Sequence, residues 1–290
     1  MKGQICMVTG ATAGIGKETA KELARRQATV VLVGRNQQKG AATRAEIVAA
    51  TGNEDVHLLL ADLSSQQDIH NLANEFKARF DRLNVLVNNA GVFLWDREES
   101  VDGLEMTFAT NHLGYYLTTL LLWEQLMAGG PARVINVSSD AHLSAKLNFE
   151  DLQNKKNFSG FRVYAQSKLA NVLFTYELNR RLNGAFVTVN ALHPGFIASD
   201  FGRNNKGFVG FFMRNVSPFF ARPISEGADT PIYLATSDDV AGRSGLYFAK
   251  RTEKRSSKES YNMQSAERLW AESERLTGVT LPAHLAQNGS

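Results

Sequence analysis

The sequence predicts an α/β fold: a doubly wound, seven-stranded parallel sheet with helices on both faces, in a single domain over residues 1–290. Three observations predict it. Short apolar runs rich in Val, Ile and Leu alternate with longer helical patterns. These runs lack a polar–apolar alternation, as is typical of strands that helices cover on both faces. No Pro/Gly/Ser-rich linker divides the chain, which favours one domain.

The elements follow the chain in order. Strands are predicted at ICMVTG, TVVLVGR, VHLLLAD, NVLVNNAG, RVINVSS, FVTVNALHPG and GLYFAK. Helices fall between them, as in GIGKETAKELARR, QDIHNLANEFKARF and the long segment FATNHLGYYLTTLLLWEQLM. This alternation implies right-handed crossovers and parallel neighbouring strands. Two stretches depart from it: residues 196–224 are rich in Phe, and the charged residues 250–260 are predicted to form a solvated loop.

Composition narrows the class of protein. Hydrophobic residues make up 43% of the 290 residues, which is ample for a buried core. A formal net charge of +3 is too small to indicate a nucleic-acid partner. Cys6 is the sole cysteine, so no intrachain disulfide can form and a reducing compartment is favoured. With no signal-peptide pattern and no apolar run of about 18 residues, the sequence predicts a cytoplasmic protein without a membrane span.

A glycine-rich turn follows the first strand. The stretch TGATAGIGKE places Gly10, Gly14 and Gly16 between that strand and the first helix. Glycine suits this turn because the backbone is tight and must approach a pyrophosphate closely. The helix N-terminus would present free N–H groups and its positive dipole end to the phosphates. The turn predicts a dinucleotide site, although its spacing differs from G-x-G-x-x-G.

The end of the second strand indicates which dinucleotide binds. An acid that would hold a ribose 2′-hydroxyl is expected about 20 residues after the turn. The chain instead has Gly34 and Arg35 there, with Lys39 as a second candidate contact. Arg35 could bind a 2′-phosphate through two hydrogen bonds, or it could simply lie on the surface at the strand end. The sequence therefore favours NADP over NAD.

Two further strand ends carry polar or small residues. Asp62 ends the third strand, and Asn88–Gly91 end the fourth. The carboxyl ends of such strands line the ligand crevice, so these residues fit an adenosine and its ribose. Asn89 has two open interpretations, as a cofactor contact and as a side chain that ties neighbouring strands together.

Tyr164 and Lys168 in YAQSK lie four residues apart on a predicted helix, and therefore on one face of it. Alone, this pair is typical of any helix surface. Beside a nicotinamide, the phenol could transfer a proton to or from a substrate oxygen. Lys168 can supply a cation one helical turn from the phenol. At about 4 Å, the attraction between that cation and the phenolate is worth roughly 4 kcal/mol at an effective dielectric near 20, which would lower the pKa of the phenol by about three units.

Donors that could polarise a carbonyl are also predicted. The fifth strand ends in Ser138 and Ser139, of which alternation allows only one to face the substrate. Asn111 lies in the helical segment before that strand. Each residue also has a structural interpretation: the serines as caps, and Asn111 as an internal hydrogen-bonding group.

In this order and context, TGATAGIG, NNAG, NHLG, NVSS, YAQSK and HPG resemble the short-chain dehydrogenase/reductase superfamily over essentially the whole chain. GKETAKELA, NHLGYYLTTLLL, YAQSKLANVLF and ERLWAESERLTG resemble its retinol dehydrogenase-like branch. The resemblance implies a Rossmann fold and the catalytic set Asn111, Ser139, Tyr164 and Lys168. The sequence departs from the family pattern in two places. It has Ala13 where many NADP-using members have a basic residue, and the N-terminal hydrophobic anchor of membrane-bound relatives is not expected here.

The predicted cofactor contacts combine the motifs above with those that the resemblance implies. They are Gly10, Thr12, Gly14, Ile15, Gly16, Arg35, Asn36, Asp62, Leu63, Asn89, Ala90, Gly91, Tyr164, Lys168, Pro194, Gly195 and Ile197. No metal site is predicted, because the histidines show no ligand spacing.

The Phe-rich residues 196–224 are predicted to close over a lipophilic aldehyde, ketone or alcohol. Retinoid-like compounds are among the candidate substrates. Two alternatives stay open for this segment: packing in the core or at the interface of a homo-oligomer, and peripheral contact with a bilayer through Arg203, Lys206 and Arg214. Two alternatives also stay open for the function. One is a light-dependent protochlorophyllide-type reductase, and the other is a non-catalytic NADP-sensing or scaffold protein.

Overall fold

A computed structural model describes residues 1–182, 186–195 and 223–282. In these residues one sheet has the strand order β3-β2-β1-β4-β5-β6-β7-β8. The strands are β1 (Ile5–Thr9), β2 (Thr29–Gly34), β3 (Val56–Leu60), β4 (Val85–Asn88), β5 (Ala132–Val137), β6 (Val187–His193), β7 (Leu246–Ala249) and β8 (Thr252–Glu253). The helices are α1 (Gly14–Arg25), α2 (Gln37–Thr51), α3 (Gln66–Arg79), α4 (Met106–Phe108), α5 (Gly114–Leu121), α6 (Trp123–Ala128), α7 (Gly160–Leu182), α8 (Ile224–Thr236) and α9 (Met263–Thr277).

The seven predicted strands are confirmed, and β1 to β7 pair in parallel. The sheet has one strand more than predicted, because β8 pairs antiparallel with β7. β8 is only two residues long and lies in the charged stretch, so it contains no apolar run from which the sequence could predict a strand.

The sheet carries a hydrophobic core on each face, as the lack of alternation in its strands predicts. In β1, Met7 joins the core beneath α3, α5 and α7, whereas Cys6 and Val8 join the core beneath α1 and α8. Successive strand residues point to opposite faces, so both sets must be apolar. All five residues of β1 are buried.

The long helical segment after β4 is less regular than the sequence predicts. The short helix α4 leads into a π-helical turn over Ala109–Leu113, and α5 follows directly. The buried carboxylate of Glu105 caps α4, because it accepts hydrogen bonds from the backbone N–H groups of Thr107 and Phe108 at 2.9 and 2.7 Å. The π turn carries Asn111, and such turns often occur at functional sites.

The prediction of a solvated loop over residues 250–260 is wrong in part. Ser257 and Ser260 are buried. The backbone N–H of Ser257 donates to Nε2 of His142 at 3.1 Å, and the Ser260 hydroxyl donates to the Ser257 carbonyl at 2.6 Å. The segment folds inward because its serines find partners distant in the sequence.

The strand order reverses between β1 and β4, which leaves a crevice at the carboxyl ends of these two strands. The glycine turn after β1 and the NNAG stretch after β4 meet there. The segment predicted to cover the substrate, residues 196–224, lies outside the described residues except for Pro223 and Ile224.

Candidate active site

The glycine turn packs directly against the end of β4. Gly10 and Gly14 adopt φ values of +65° and +53°, which favour glycine. A Cβ on Gly10 would lie 2.9 Å from the Cα of Ala90, and one on Gly16 would lie 2.4 Å from Nδ2 of Asn89. Side chains at Gly10 and Gly16 would therefore collide with the neighbouring strand end, and the turn can be this tight only with glycine.

The start of α1 is suited to an anion. Its N-cap, Ala13, provides no side-chain hydrogen bond, so no side chain caps the first N–H groups of the helix. Those groups and the positive end of the helix dipole are what a pyrophosphate requires. Gly14, Ile15 and Gly16 form this first turn. The residues present therefore fit the phosphates of a dinucleotide.

Asn89 has the structural role that the sequence left open. Its Nδ2 donates to the carbonyl of Thr9 at 2.8 Å, and its backbone N–H donates to Oγ1 of Thr9 at 2.9 Å. The N–H of Ala90 reaches the same hydroxyl at 3.1 Å. These bonds join the ends of β1 and β4 and hold the floor of the crevice. The half-buried Ala90 and Gly91 continue along it.

At the end of β2, the guanidinium of Arg35 lies 3.8 Å from the Asp62 carboxylate, with 62% of the Arg35 side chain exposed. A surface pair of this kind contributes only about 0–1 kcal/mol, so it leaves Arg35 available to an anionic ligand. The side chain of Asn36 caps α2 by accepting from the N–H of Lys39 at 2.8 Å. The side chain of Leu63 is buried in the core. Any contact of Leu63 with a cofactor would therefore come from the backbone.

Thr12 lies close to the end of β2. A Cβ on Gly34 would be only 2.6 Å from Cγ2 of Thr12. An acidic side chain at position 34, which would suit NAD, could therefore enter only if Thr12 moved. Gly34 therefore has two effects: it leaves room for the Thr12 side chain, and it places no negative charge at the end of β2.

The four residues predicted to be catalytic come together at the crevice. The Tyr164 hydroxyl lies close enough to the Ser139 side chain for the Ser139 hydroxyl to lower the pKa of the phenol. One helical turn along α7, Nζ of Lys168 lies 5.8 Å from the centre of the Tyr164 ring. A Cβ on Gly91 would lie 3.3 Å from Oδ1 of Asn111 and 3.5 Å from Nζ of Lys168, so both groups border the same space.

Ser138 and Ser139 divide as strand alternation requires. Ser138 is buried and donates to the Lys168 carbonyl at 2.8 Å, which fixes β5 to α7. Ser139 is half-buried, faces Tyr164, and accepts from the N–H of Ala141 at 3.2 Å. Of the two, Ser139 alone is placed to contact a substrate carbonyl beside Tyr164.

Asn111 is held by hydrogen bonds on both sides. Its Oδ1 accepts from the N–H of Val92 at 2.7 Å, and its Nδ2 donates to the Val92 carbonyl at 3.0 Å. The same amide also donates to Oγ of Ser167 at 2.9 Å. Asn111 thus ties the loop after β4 to α7, a structural role that the sequence predicted only as the alternative to a catalytic one.

Burial shifts the pKa values of the central pair in opposite directions. It raises the pKa of Tyr164 to about 12, and the hydrogen bond from Ser139 acts the other way. It lowers the pKa of Lys168 to about 7. Nζ of Lys168 donates to the Val137 carbonyl at 3.0 Å. The sequence predicts a Tyr164 pKa lowered by the lysine cation, but desolvation outweighs that effect here because both groups are buried.

The end of β6 contributes the HPG stretch. Pro194 and Gly195 are half-buried, and Gly195 has a φ of +87°. Its N–H donates to Nδ1 of His193 at 3.2 Å. Ile197, also predicted to contact the cofactor, lies outside the described residues.

Several residues of the site escaped the sequence predictions. Ser167 joins Asn111 to α7, and its position inside YAQSK was the available signal. A buried polar ladder runs from Asn88 through Asn136 to Thr175, with bonds of 2.9 Å, and supports the strand ends from below. Phe93 packs edge-on against the Tyr164 ring at 5.5 Å, and nothing in the sequence pairs these two rings.

Two absences concern the described residues only. In the three described ranges, no group of three or more His, Cys, Asp or Glu residues is arranged to hold a metal ion. Within the same ranges, none of the helices is long and apolar enough to cross a membrane.

Comparison with known proteins adds to this geometry. The sequence model of the family described as short chain dehydrogenase matches residues 4–207. Retinol dehydrogenase 12 of Mus musculus is 43% identical over 277 residues, which cover 96% of this chain and 87% of that protein. A crystal structure from Mycobacterium paratuberculosis is similar with a TM-score of 0.78 and 31% identity, over 97% of this chain and 96% of that one. The Pseudomonas aeruginosa RhlG/NADP active-site complex is similar with a TM-score of 0.68 and 26% identity, over 86% and 94% of the two chains.

Proposed function

The chain belongs to the short-chain dehydrogenase family and is retinol dehydrogenase-like, and on this premise we propose that it is an NADP(H)-dependent oxidoreductase that interconverts a lipophilic aldehyde or ketone and its alcohol. The observation that carries the proposal is the proximity of the Tyr164 hydroxyl to the Ser139 side chain, with buried Lys168 one helical turn away, at the edge of the nucleotide crevice. A helix surface has no need of such an arrangement.

Each of the four residues has a distinct part in the reaction. When bound, the nicotinamide supplies a hydride to the carbonyl carbon or accepts one from the alcohol. Ser139 donates a hydrogen bond that polarises the carbonyl oxygen, and Tyr164 gives that oxygen its proton. Lys168 would hold a ribose of the cofactor through its ammonium. Asn111 fixes the loop after β4 and keeps Gly91 beside Lys168.

The protonation states favour the reductive direction near neutral pH. A pKa raised to about 12 keeps Tyr164 protonated, which is the state that a proton donor requires. In the oxidative direction the same phenol must first lose its proton, and this becomes easier as pH rises. We therefore expect carbonyl reduction to dominate near neutral pH and alcohol oxidation to increase at alkaline pH.

Support for NADP comes from the exposed guanidinium of Arg35 and the absence of an acid at the end of β2. A guanidinium binds a phosphate through two parallel hydrogen bonds, whereas a carboxylate there would repel it. The similar P. aeruginosa structure is described as an NADP complex.

Support for a lipophilic substrate comes from aromatic side chains beside Tyr164. Phe93 contacts the Tyr164 ring at 5.5 Å, and Trp95 packs edge-on against Phe93 at 4.9 Å with 41% of its surface exposed. α7 starts close to this loop, because a Cβ on Gly160 would lie 2.1 Å from the Leu94 carbonyl. The name of the mouse relative, retinol dehydrogenase 12, includes retinol, so retinoid-like carbonyls belong among the substrates to be tested.

The proposal is tested with a panel of aldehydes, ketones and alcohols, each with NADPH or NADP⁺ and with NADH or NAD⁺, followed by nicotinamide absorbance. We expect turnover of apolar carbonyls with NADPH, faster than that of short polar ones. NADPH binding without turnover of any panel member would favour the NADP-sensing alternative instead.

A further inference from the structure

His193 ends β6 and lies between two parts of the site that are far apart in the sequence. On one side is Asp140, the residue after Ser139, and on the other is Gly195, in the turn predicted to contact the cofactor. The His193 side chain is 15% exposed. Its ring stacks on that of Tyr247, with centroids 6.0 Å apart and planes 12° apart. The imidazole is therefore held in one orientation.

A single ring nitrogen of His193 serves both neighbours. The backbone N–H of Gly195 donates to Nδ1 at 3.2 Å, which requires Nδ1 to carry no proton. The carboxylate Oδ2 of Asp140 lies 3.1 Å from the same Nδ1, and that contact is attractive only when Nδ1 carries a proton. The two interactions exclude each other, so a proton on Nδ1 decides which one forms: the neutral ring accepts from Gly195 when its proton is on Nε2, and the charged ring, which always carries a proton on Nδ1, can only pair with Asp140.

The surroundings of His193 favour the neutral ring. Burial lowers its pKa, Asp140 raises it, and Lys250 after β7 lowers it. His142, in the turn after β5, is the remaining titratable ring near this group and repels a charged His193. Asp140 is 59% exposed, so solvent screens its attraction. Neutral His193 accepts the Gly195 hydrogen bond at neutral pH, and the exchange of partners belongs to acidic pH.

We infer that His193 is a positioning residue that holds the Gly195 turn when neutral and releases it to pair with Asp140 when protonated. Both ends of this exchange adjoin the site, because Asp140 follows Ser139 and Gly195 follows Pro194. The expected effect on cofactor binding rests on the proposed function, but the exchange itself does not. As pH falls, the Gly195 N–H loses its acceptor, and the turn that is predicted to contact the cofactor loosens.

The exchange is measured without any cofactor by nuclear magnetic resonance. In wild type, the Gly195 amide resonance should shift with pH at the same midpoint as the His193 ring. In His193→Asn, whose side-chain oxygen can accept at the Nδ1 position but does not titrate, that shift should disappear. Asp140→Asn should move the His193 midpoint to lower pH, because the carboxylate that favours the charged ring is gone. A Gly195 resonance that does not titrate in wild type, or titrates equally in His193→Asn, overturns the inference.

The consequence for cofactor binding is measured by tryptophan fluorescence with NADP⁺ alone. The 2′-phosphate itself titrates near pH 6, so the informative quantity is the ratio of wild-type to His193→Asn affinity at each pH. We expect wild type to weaken about 3-fold to 10-fold relative to His193→Asn as pH falls through the His193 midpoint, the loss typical of one hydrogen bond. His193→Phe, which keeps a ring on Tyr247 without an acceptor, should be weaker at every pH.

The two measurements separate the two claims. A ratio that stays constant with pH overturns the effect on the cofactor while the proposed function stands. If no variant binds NADP⁺ at any pH, the proposed function fails, and the resonance experiment still decides the exchange of partners.

Discussion

The ammonium of Lys168 lies 5.8 Å from the centre of the Tyr164 ring, and burial drives both groups toward their neutral forms. The pKa of the phenol is raised to about 12, and that of the amine is lowered to about 7. In the protein without cofactor, the lysine is thus only partly charged near neutral pH and does little to ionise the tyrosine. The protonated phenol suits the proton donation that we propose for Tyr164.

Replacing Lys168 tests its part in holding the cofactor. Lys168→Ala should weaken NADPH binding and lower kcat, because the ribose and the Val137 carbonyl both lose their donor. Lys168→Arg keeps a cation, but a planar guanidinium cannot reproduce the compact ammonium in a space that Tyr115 and Tyr164 enclose. We expect Arg to recover little of either property. Full recovery of binding and turnover by Arg would mean that charge alone matters here.

Arg35 should determine the preference for NADPH. In Arg35→Ala the KM for NADPH should rise about 10-fold or more, as expected for a lost hydrogen bond to a charged group, while the KM for NADH stays constant. Arg35→Lys, which keeps the charge without the two-pronged geometry, is the matched control and should lie between. An equal rise for both cofactors would assign Arg35 to the fold instead.

Reversing the preference from NADPH to NADH should need changes at Gly34 and Thr12 in addition to Arg35. Gly34→Asp alone should lower stability, because its Cβ would lie 2.6 Å from Thr12. Gly34→Asp combined with Thr12→Ala and Arg35→Ala should bind NADH better than NADPH. Thermal unfolding of the single and triple variants, beside their KM values, separates the steric effect from the electrostatic one.

Trp95 tests the apolar side of the site. Trp95→Ala should raise KM for large apolar carbonyls several-fold and leave KM for NADPH and for short carbonyls constant, because its ring borders the space beside Phe93 and Tyr164. Phe186→Ala is the matched control, since Phe186 is 74% exposed just before the amino end of β6, whereas the site lies at the carboxyl ends of the strands. Equal effects of the two substitutions would contradict a substrate contact at Trp95.

His112 should make stability depend on pH. It is fully buried against Phe108 and Phe174, and burial lowers its pKa to about 3. The unfolded chain takes up the proton first, near pH 6.5, so stability should fall as pH decreases from about 6.5 toward 3, by up to about 1.4 kcal/mol per pH unit from this group. Urea unfolding at several pH values measures it. His112→Gln, which keeps a polar atom near Ser273, should show a smaller slope.

The sequence predicted much of this fold because its information there is local. The strands are continuous apolar runs, and Gly10 and Gly16 lie where backbone approaches backbone closely. The candidate set Asn111, Ser139, Tyr164 and Lys168 came from the family resemblance, since strand alternation required only that one of Ser138 and Ser139 face the substrate.

What escaped prediction depends on partners distant in the sequence. The backbone N–H of buried Ser257 donates to His142. The side chain of Asn111, in the π turn, forms hydrogen bonds with Val92 and Ser167. The pKa shifts of Tyr164 and Lys168 were missed for the same reason, since desolvation depends on everything packed around a group rather than on its sequence neighbours.

The most direct test of the account is the turnover number of Tyr164→Phe beside its affinity for NADPH. The substitution removes only the hydroxyl and keeps the ring contact with Phe93. The account predicts that NADPH affinity and the unfolding temperature remain close to wild type, while kcat for carbonyl reduction falls by at least about 10²-fold, the loss typical of acid–base catalysis. Turnover within a few-fold of wild type would contradict Tyr164 as the proton donor and would leave the pair in YAQSK without a catalytic role.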